Sequence, residues 1–164
     1  QPGVSLAWRQ LDYDRLAGWL ETAQTLDPRS QYALVAASVV YAGVSDPQRA
    51  RRMLTFVAAS FAADPQRRWP AMAQAVLVAK HQLHDLPLAL AYARQLRQLA
   101  TGPQVPAWVR EMEAFILEDM DQLDSARLVI GGLIASGHIS DPHELAFLAR
   151  RLDELARKKV RATP

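Results

Sequence analysis

Apolar residues recur at spacings of three and four along the whole chain, and no segment shows the strict alternation of a half-buried strand. The pattern therefore predicts an all-helical protein, with each apolar stripe facing a core. Trp19 belongs to the first stripe, so we expect its side chain to be buried. The clearest stripes are Leu16, Trp19, Leu20, Ala23 and Leu26; Met53, Leu54, Val57, Ala58 and Phe61; and Val109, Met112, Ile116, Leu117 and Met120.

Asp-Pro pairs and isolated prolines mark where these helices begin and end. Asp46 and Asp141 each precede a proline at the start of an apolar pattern, as N-caps do, and Asp85 is placed like another N-cap. Asp27-Pro28 and Asp64-Pro65 follow a stripe, where proline predicts a helix end. These signals predict helices at about 5–26, 30–43, 47–62, 69–83, 86–100, 106–120, 122–136 and 142–159.

The same features repeat along the chain. Asp27-Pro28 and Asp64-Pro65 are 37 residues apart, and so are the segments LPLA (86–89) and LDSA (123–126). Each period contains two predicted helices with short linkers, which make consecutive helices antiparallel neighbours. Paired helices with a period in the mid-thirties are typical of α-solenoids.

Two adjacent segments carry a family resemblance. YDRLAGWLETAQTLDP (13–28) resembles the second helix of a tetratricopeptide repeat, and SQYALVAASVVYAG (30–43) resembles the first helix of the next. In the second segment, Ser38 and Tyr41 match the family's small and aromatic positions. Over about 13–136 the later repeats keep chiefly Ala89 and Ala126, at the close-packing position.

The resemblance implies one right-handed α-solenoid domain over 1–164, with about three to four antiparallel helix pairs. The repeats would occupy about 11–137, and a helix at about 142–159 would cap the C-terminal end. We expect Gly131-Gly132, inside a predicted helix, to allow a close helix contact that offsets their low helix propensity. An ordinary helical bundle is the alternative architecture.

In the resembled family, the first helix of each pair lines a concave groove that binds a segment of a partner protein. The resemblance implies that the groove here is apolar at one end and acidic at the other. Val35 and Val39 stand where chaperone-binding members have carboxylate-binding residues, so a C-terminal carboxylate is not the expected ligand. The implied groove residues are Tyr32, Val35, Val39, Gln74, Val78, His81, Gln82, Trp108, Glu111, Phe115 and Glu118.

An acidic cluster spans residues 111–121. Glu111 and Glu118 are seven residues apart and share a helix face, with Phe115 between them and Trp108 before them. Such a face could receive a basic or amphipathic peptide; the alternative is a solvated helix face. We expect Trp69 and Trp108 to pack between repeats rather than to line the groove.

Charge leaves a second functional alternative open. The net charge is only +2, but arginine-rich segments at 49–68 and 150–161 could bind nucleic acid or another acidic surface. Few aromatic residues are interleaved there, so we expect a protein or peptide partner rather than a nucleic acid.

No motif indicates catalysis, a metal or a cofactor. The chain has no cysteine, and His81 and His84 have no further ligands at a recognised spacing. No nucleophile motif or phosphate-binding loop occurs. We therefore expect a non-catalytic interaction or scaffold module without a cofactor.

The chain begins Gln-Pro-Gly and has no apolar run of 18 residues. We expect a processed piece, whose upstream part could hold a signal peptide or membrane anchor. Cytoplasm and periplasm both stay open, as does a role as the soluble domain of a membrane-anchored assembly factor. Self-association also stays open, since solenoid ends expose apolar surface unless they are capped.

Overall fold

The computed structural model describes residue 7 and residues 10–162 of the chain. Within this part the structure is helical and contains no strand, which confirms the all-helical prediction. The eight α-helices found there are α1 (Tyr13–Leu26), α2 (Tyr32–Val35), α3 (Pro47–Ala63), α4 (Pro65–Leu77), α5 (Leu86–Leu99), α6 (Ala107–Asp119), α7 (Leu123–Ala135) and α8 (Pro142–Ala162).

The predicted aspartate N-caps are confirmed. A carboxylate oxygen of Asp46 accepts hydrogen bonds from the backbone amides of Gln48 (2.9 Å) and Arg49 (3.1 Å). Asp85 and Asp141 bind backbone amides in the first turns of α5 and α8 in the same manner. A cap of this kind stabilises a helix by about 1 kcal/mol, because it satisfies amides that have no partner within the helix.

Two predicted helix starts are wrong. The first helix begins at Tyr13 rather than near residue 5, because the carboxylate of Asp12 caps it by accepting from the amides of Asp14 and Arg15. The fourth helix begins at Pro65 rather than at 69. Pro65 opens α4 directly after α3, because the first helical position needs no amide donor. Trp8 lies outside the described residues.

Helices α2 and α4 end in π-helical turns, which the sequence pattern does not reveal. The α2 helix continues as the π-helical segment Ala36–Tyr41, and α4 continues as Val78–Gln82. In the first segment, the buried Ser38 hydroxyl donates to the carbonyl of Leu34 at 2.8 Å. π-Helical turns occur frequently at functional sites.

The chain divides into two compact units, one up to Tyr92 and one from Ala93, so that the boundary falls inside α5. In the first unit α1 packs on α2 and α3. The α4 helix packs on α3 and on α2 with its π-helical continuation, which together are called here the α2 segment. In the second unit α7 packs on both α6 and α8. The largest fully buried side chains are Leu34, Met53, Leu54, Val57, Phe61, Met72 and Val76 in the first unit and Leu96, Leu117, Ile130, Leu148 and Leu155 in the second.

The prediction that Trp19 lies in the core is wrong. Its side chain is 72% exposed, whereas Tyr13, Ala17 and Leu20 are buried. The α1 helix is turned so that the ring of Tyr13 meets the edge of Tyr41, at a centroid distance of 6.4 Å. This orientation leaves the predicted stripe of α1 largely in solvent.

The expected close helix contact at Gly131-Gly132 is also wrong. A Cβ atom built on either glycine would meet no heavy atom within 4 Å, apart from its immediate helix surroundings. Each glycine therefore costs α7 roughly 1 kcal/mol relative to alanine without allowing a close approach.

Candidate functional site

Large exposed apolar side chains are concentrated in one stretch of the first unit. Five of them, each more than half exposed, fall within residues 19–39 and are called here the α1–α2 apolar surface. They are Trp19, Leu26, Tyr32, Val35 and Val39. Isolated apolar residues are normal on a protein surface, but a concentration of this kind is typical of an interaction site.

Helical spacing places these residues on two faces. On α1, Trp19 and Leu26 are seven residues apart and therefore share one face, which they line with the exposed Ala23 between them. On the α2 segment, Tyr32, Val35 and Val39 share the exposed side. The apolar surface therefore consists of a stripe on each of two helices that pack together.

The turn between α1 and α2 is held by local hydrogen bonds. The Asp27 carboxylate accepts from the amides of Arg29 and Ser30, each at 3.2 Å. The Ser30 hydroxyl then accepts from the amide of Tyr32 at 3.2 Å. These bonds fix the course of the chain from one apolar stripe to the other.

Two arginines of α4 hold the same turn from another helix. The guanidinium group of Arg67 donates to the carbonyl of Arg29 at 3.0 Å, and that of Arg68 donates to the carbonyl of Pro28 at 3.2 Å. Arg68 is buried and also donates to the carbonyl of Ser60 at 2.7 Å. The apolar surface is therefore carried on a turn that is tied to the core of its unit.

The other predicted groove residues of the first unit have different surroundings. His81 is exposed, Gln74 is half-buried and Val78 is buried. The side-chain amide of Gln82 donates to the backbone carbonyls of Ala42 (2.9 Å) and Val44 (2.5 Å), so it holds the loop that follows the α2 segment. Of the seven predicted residues in this unit, Tyr32, Val35 and Val39 are the large exposed apolar residues that belong to the α1–α2 apolar surface.

In the second unit, two of the four predicted groove residues are aromatic. Trp108 is exposed, and the half-buried ring of Phe115 lies edge-on to Phe147 of α8 with centroids 6.4 Å apart. The Glu118 carboxylate is ion-paired with Arg151 of α8, with Nε to Oε1 at 2.9 Å. Phe115 and Glu118 therefore connect α6 to α8.

The acidic cluster is not the solvated face that its sequence suggests, because Glu111 and Glu113 are buried. The Glu113 carboxylate accepts from Arg94 at 3.1 Å and from Arg97. The Glu118–Arg151 pair engages a third acid of the cluster, so Glu111, Glu113 and Glu118 are all held within the second unit. The cluster therefore does not present the acidic surface expected for a basic peptide.

Glu111 is the most perturbed acid among the described residues. Burial is the largest cause that raises the pKa of Glu111 to about 8. A hydrogen bond with Glu144 and the negative charge of Glu144 raise this pKa further. Its side chain is 2% exposed, and its Oε1 atom has no hydrogen-bond partner. Glu111 therefore carries a proton at neutral pH and joins α6 to α8 as a neutral carboxylic acid.

The arginines of 49–68 are engaged within the first unit. Arg51 is paired with Asp85 at 2.6 Å, and Arg52 is paired with Asp14 at 2.9 Å. The guanidinium group of Arg49 stacks over the ring of Tyr13, 5.4 Å from its centroid. Arg67 and Arg68 hold the α1–α2 turn, so each of the five arginines has a partner within the first unit.

Among the described residues, no group of three acidic or histidine side chains is arranged to hold a metal ion. No helix in this part of the chain is long and apolar enough to cross a membrane.

Sequence reasoning missed Trp19 and Leu26 as members of the apolar surface, since their spacing is also that of a core stripe.

No protein family, curated protein or solved structure was found to match the chain.

Proposed function

We propose that this chain is a non-catalytic protein-interaction module whose first unit binds an amphipathic helix of a partner protein through the α1–α2 apolar surface. The observation that carries this proposal is the exposure of five large apolar side chains within 21 residues, on a turn tied to the core. Removing such side chains from water is favourable by about 25 cal/mol for each Å², and a complex is stabilised by what exceeds the cost of association and of ordering the side chains.

The architecture proposed for this module is a repeat array similar to tetratricopeptide repeats. Four alanines, one near the start of each of α1, α3, α5 and α7, are fully buried: Ala17, Ala50, Ala89 and Ala126. A small residue at this point allows the paired helix to approach closely. In the first unit α1 contacts α3 and α2 contacts α4, as expected where each helix pair stacks on the next.

A helical partner segment suits the shape of this surface. The exposed residues stand three, four or seven positions apart along two packed helices, so each helix presents an apolar stripe on which the apolar face of a third helix can pack. The tied turn keeps the two stripes in a fixed arrangement, which lowers the entropy lost on binding. Because Glu111, Glu113 and Glu118 are engaged inside the second unit, the acidic cluster has no part in this proposal.

The test compares partner recovery by three forms of the protein after affinity purification and quantitative mass spectrometry. The test variant is Val35→Asp/Val39→Asp, and the matched control is Val160→Asp, at an exposed apolar residue of α8. Circular dichroism first establishes that the variants retain the helical content of the wild type.

We expect a specific partner to be lost from the test variant by tenfold or more and to be retained by the control. The expected loss follows from placing two charges in an apolar contact. A partner retained equally by all three forms would overturn the assignment of this surface. A complex whose affinity falls steeply with salt and that is insensitive to Val35 and Val39 would instead identify nucleic-acid or acidic-surface binding.

A further inference from the structure

A pocket lies wholly within the second unit, lined by residues at the end of α5, in α6 and in α7. Its volume is about 480 Å³, within the range of small-molecule sites. The lining combines the apolar side chains of Leu128 and Leu133 with Arg97 and Arg110. A pocket of this composition suits a ligand with one anionic group and one apolar part.

Arg110 supplies the first argument for an anion. It is 9% exposed, and its Nη2 atom donates to the carbonyls of Thr101 (3.1 Å) and Gly102 (3.2 Å). No carboxylate in the described part of the chain is paired with it, and its Nε atom has no hydrogen-bond partner. Because removing a cation from water is costly, buried arginines are normally paired with an anion.

The neighbouring charges leave this positive charge uncompensated. Arg97, which also lines the pocket, shares the single carboxylate of Glu113 with Arg94. Two guanidinium groups thus face one carboxylate, and Arg110 adds a third positive charge. His138, which is exposed, also lines the pocket and could donate a hydrogen bond to an anion.

Gly132 forms an open part of the pocket wall. It lies inside α7, where glycine lowers helix stability, and no close helix contact explains its presence. It does line the pocket. A larger side chain at this position would occupy pocket volume, so the glycine leaves this part of the pocket open.

We propose that this pocket binds a small monocarboxylate with an apolar body, such as a fatty acid of medium chain length. The carboxylate pairs with Arg110 and Arg97, and the apolar chain lies against Leu128 and Leu133. Guanidinium groups suit this role because their N–H donors match the two oxygens of a carboxylate. The site is separate from the α1–α2 apolar surface, so either proposal can fail without the other.

The first experiment is calorimetric titration of the whole chain with sodium octanoate, octanol and inorganic phosphate. We expect saturable binding of one octanoate per chain, with octanol and phosphate at least tenfold weaker, since each lacks one of the two features that the pocket recognises. Absence of octanoate binding, or equal binding of octanoate and octanol, would overturn the proposal. Tighter binding of a leucine-terminated peptide than of octanoate, abolished by amidating its C terminus, would overturn the small-molecule assignment.

The second experiment uses a matched pair of neighbouring glycines. Gly132→Leu places a side chain at the pocket, whereas Gly131→Leu changes the adjacent residue, which does not line it. Both variants should raise the helix propensity of α7 and the melting temperature, but octanoate affinity should fall at least tenfold in Gly132→Leu alone. Equal affinities in the two variants would contradict the proposed site.

A third variant, Arg110→Met, should lose octanoate binding by tenfold or more. If this variant does not fold because the loop at Thr101 and Gly102 is released, the glycine pair still decides the question.

Discussion

Glu111→Gln tests the buried Glu111 carboxyl group of the second unit, because it keeps the shape of the side chain and removes its titration. The folded state holds the Glu111 pKa near 8, against 4.5 in a solvated glutamate. At pH values between 4.5 and about 8, the chain therefore takes up a proton at Glu111 when it folds. The stability that this group contributes is lost as the pH rises through this range. Each pH unit within it corresponds to about 1.4 kcal/mol, so the wild type should lose about 3 kcal/mol between pH 5 and pH 7 relative to the variant.

Urea denaturation followed by circular dichroism at several pH values measures this difference. The free energy of unfolding of the variant should depend less on pH than that of the wild type, and the two curves should diverge above pH 5. Glu144→Gln should retain a smaller pH dependence, since burial of Glu111, the largest cause of its raised pKa, remains. Parallel curves for wild type and Glu111→Gln would show that the carboxyl group titrates normally in the folded protein.

Three further stability predictions follow from the packing, each measured by urea denaturation. Trp19→Ala should change the free energy of unfolding by no more than about 0.5 kcal/mol because Trp19 is exposed, whereas Phe61→Ala should cost about 3–5 kcal/mol; a large loss for Trp19→Ala would contradict the described orientation of α1. Ala126→Leu should destabilise by about 1–3 kcal/mol through overpacking, and an unchanged stability would show that this position is not closely packed. Asp46→Ala should cost about 1 kcal/mol by removing the cap of α3, a loss that Asp46→Asn should largely avoid.

The helix ends show which local signals were sufficient. Asp46, Asp85 and Asp141 were recognisable as N-caps because a cap depends on residues within one helical turn. Pro65 was misassigned because a proline after an apolar stripe marks either a helix end or a helix start. Here α3 ends at Ala63 and α4 begins at Pro65, so both occur within two residues. The π-helical turns at the ends of α2 and α4 gave no signal in the spacing of apolar residues.

The candidate sites show where periodicity was insufficient. Trp19 and Leu26 have the spacing of a core stripe, yet Tyr13 and Ala17 occupy the core because α1 packs through them. Glu111 and Glu113 have the composition of a solvated face, yet α6 is covered by α8 and by arginines from α5. Periodicity gives the faces of a helix, but it does not say which face meets a neighbour.

The sequence by itself determined the helical class, the positions of most helices and the caps that begin them, because these follow from interactions within a few residues. Only the tertiary structure decided which apolar stripe stays in solvent, that Glu111 keeps its proton and that Arg110 lines a pocket without a carboxylate partner. Each of these depends on residues distant in the chain, such as Glu144 for Glu111 and Leu128 for Arg110. Burial and charge compensation are properties of such non-local contacts, and no short segment of the chain encodes them alone.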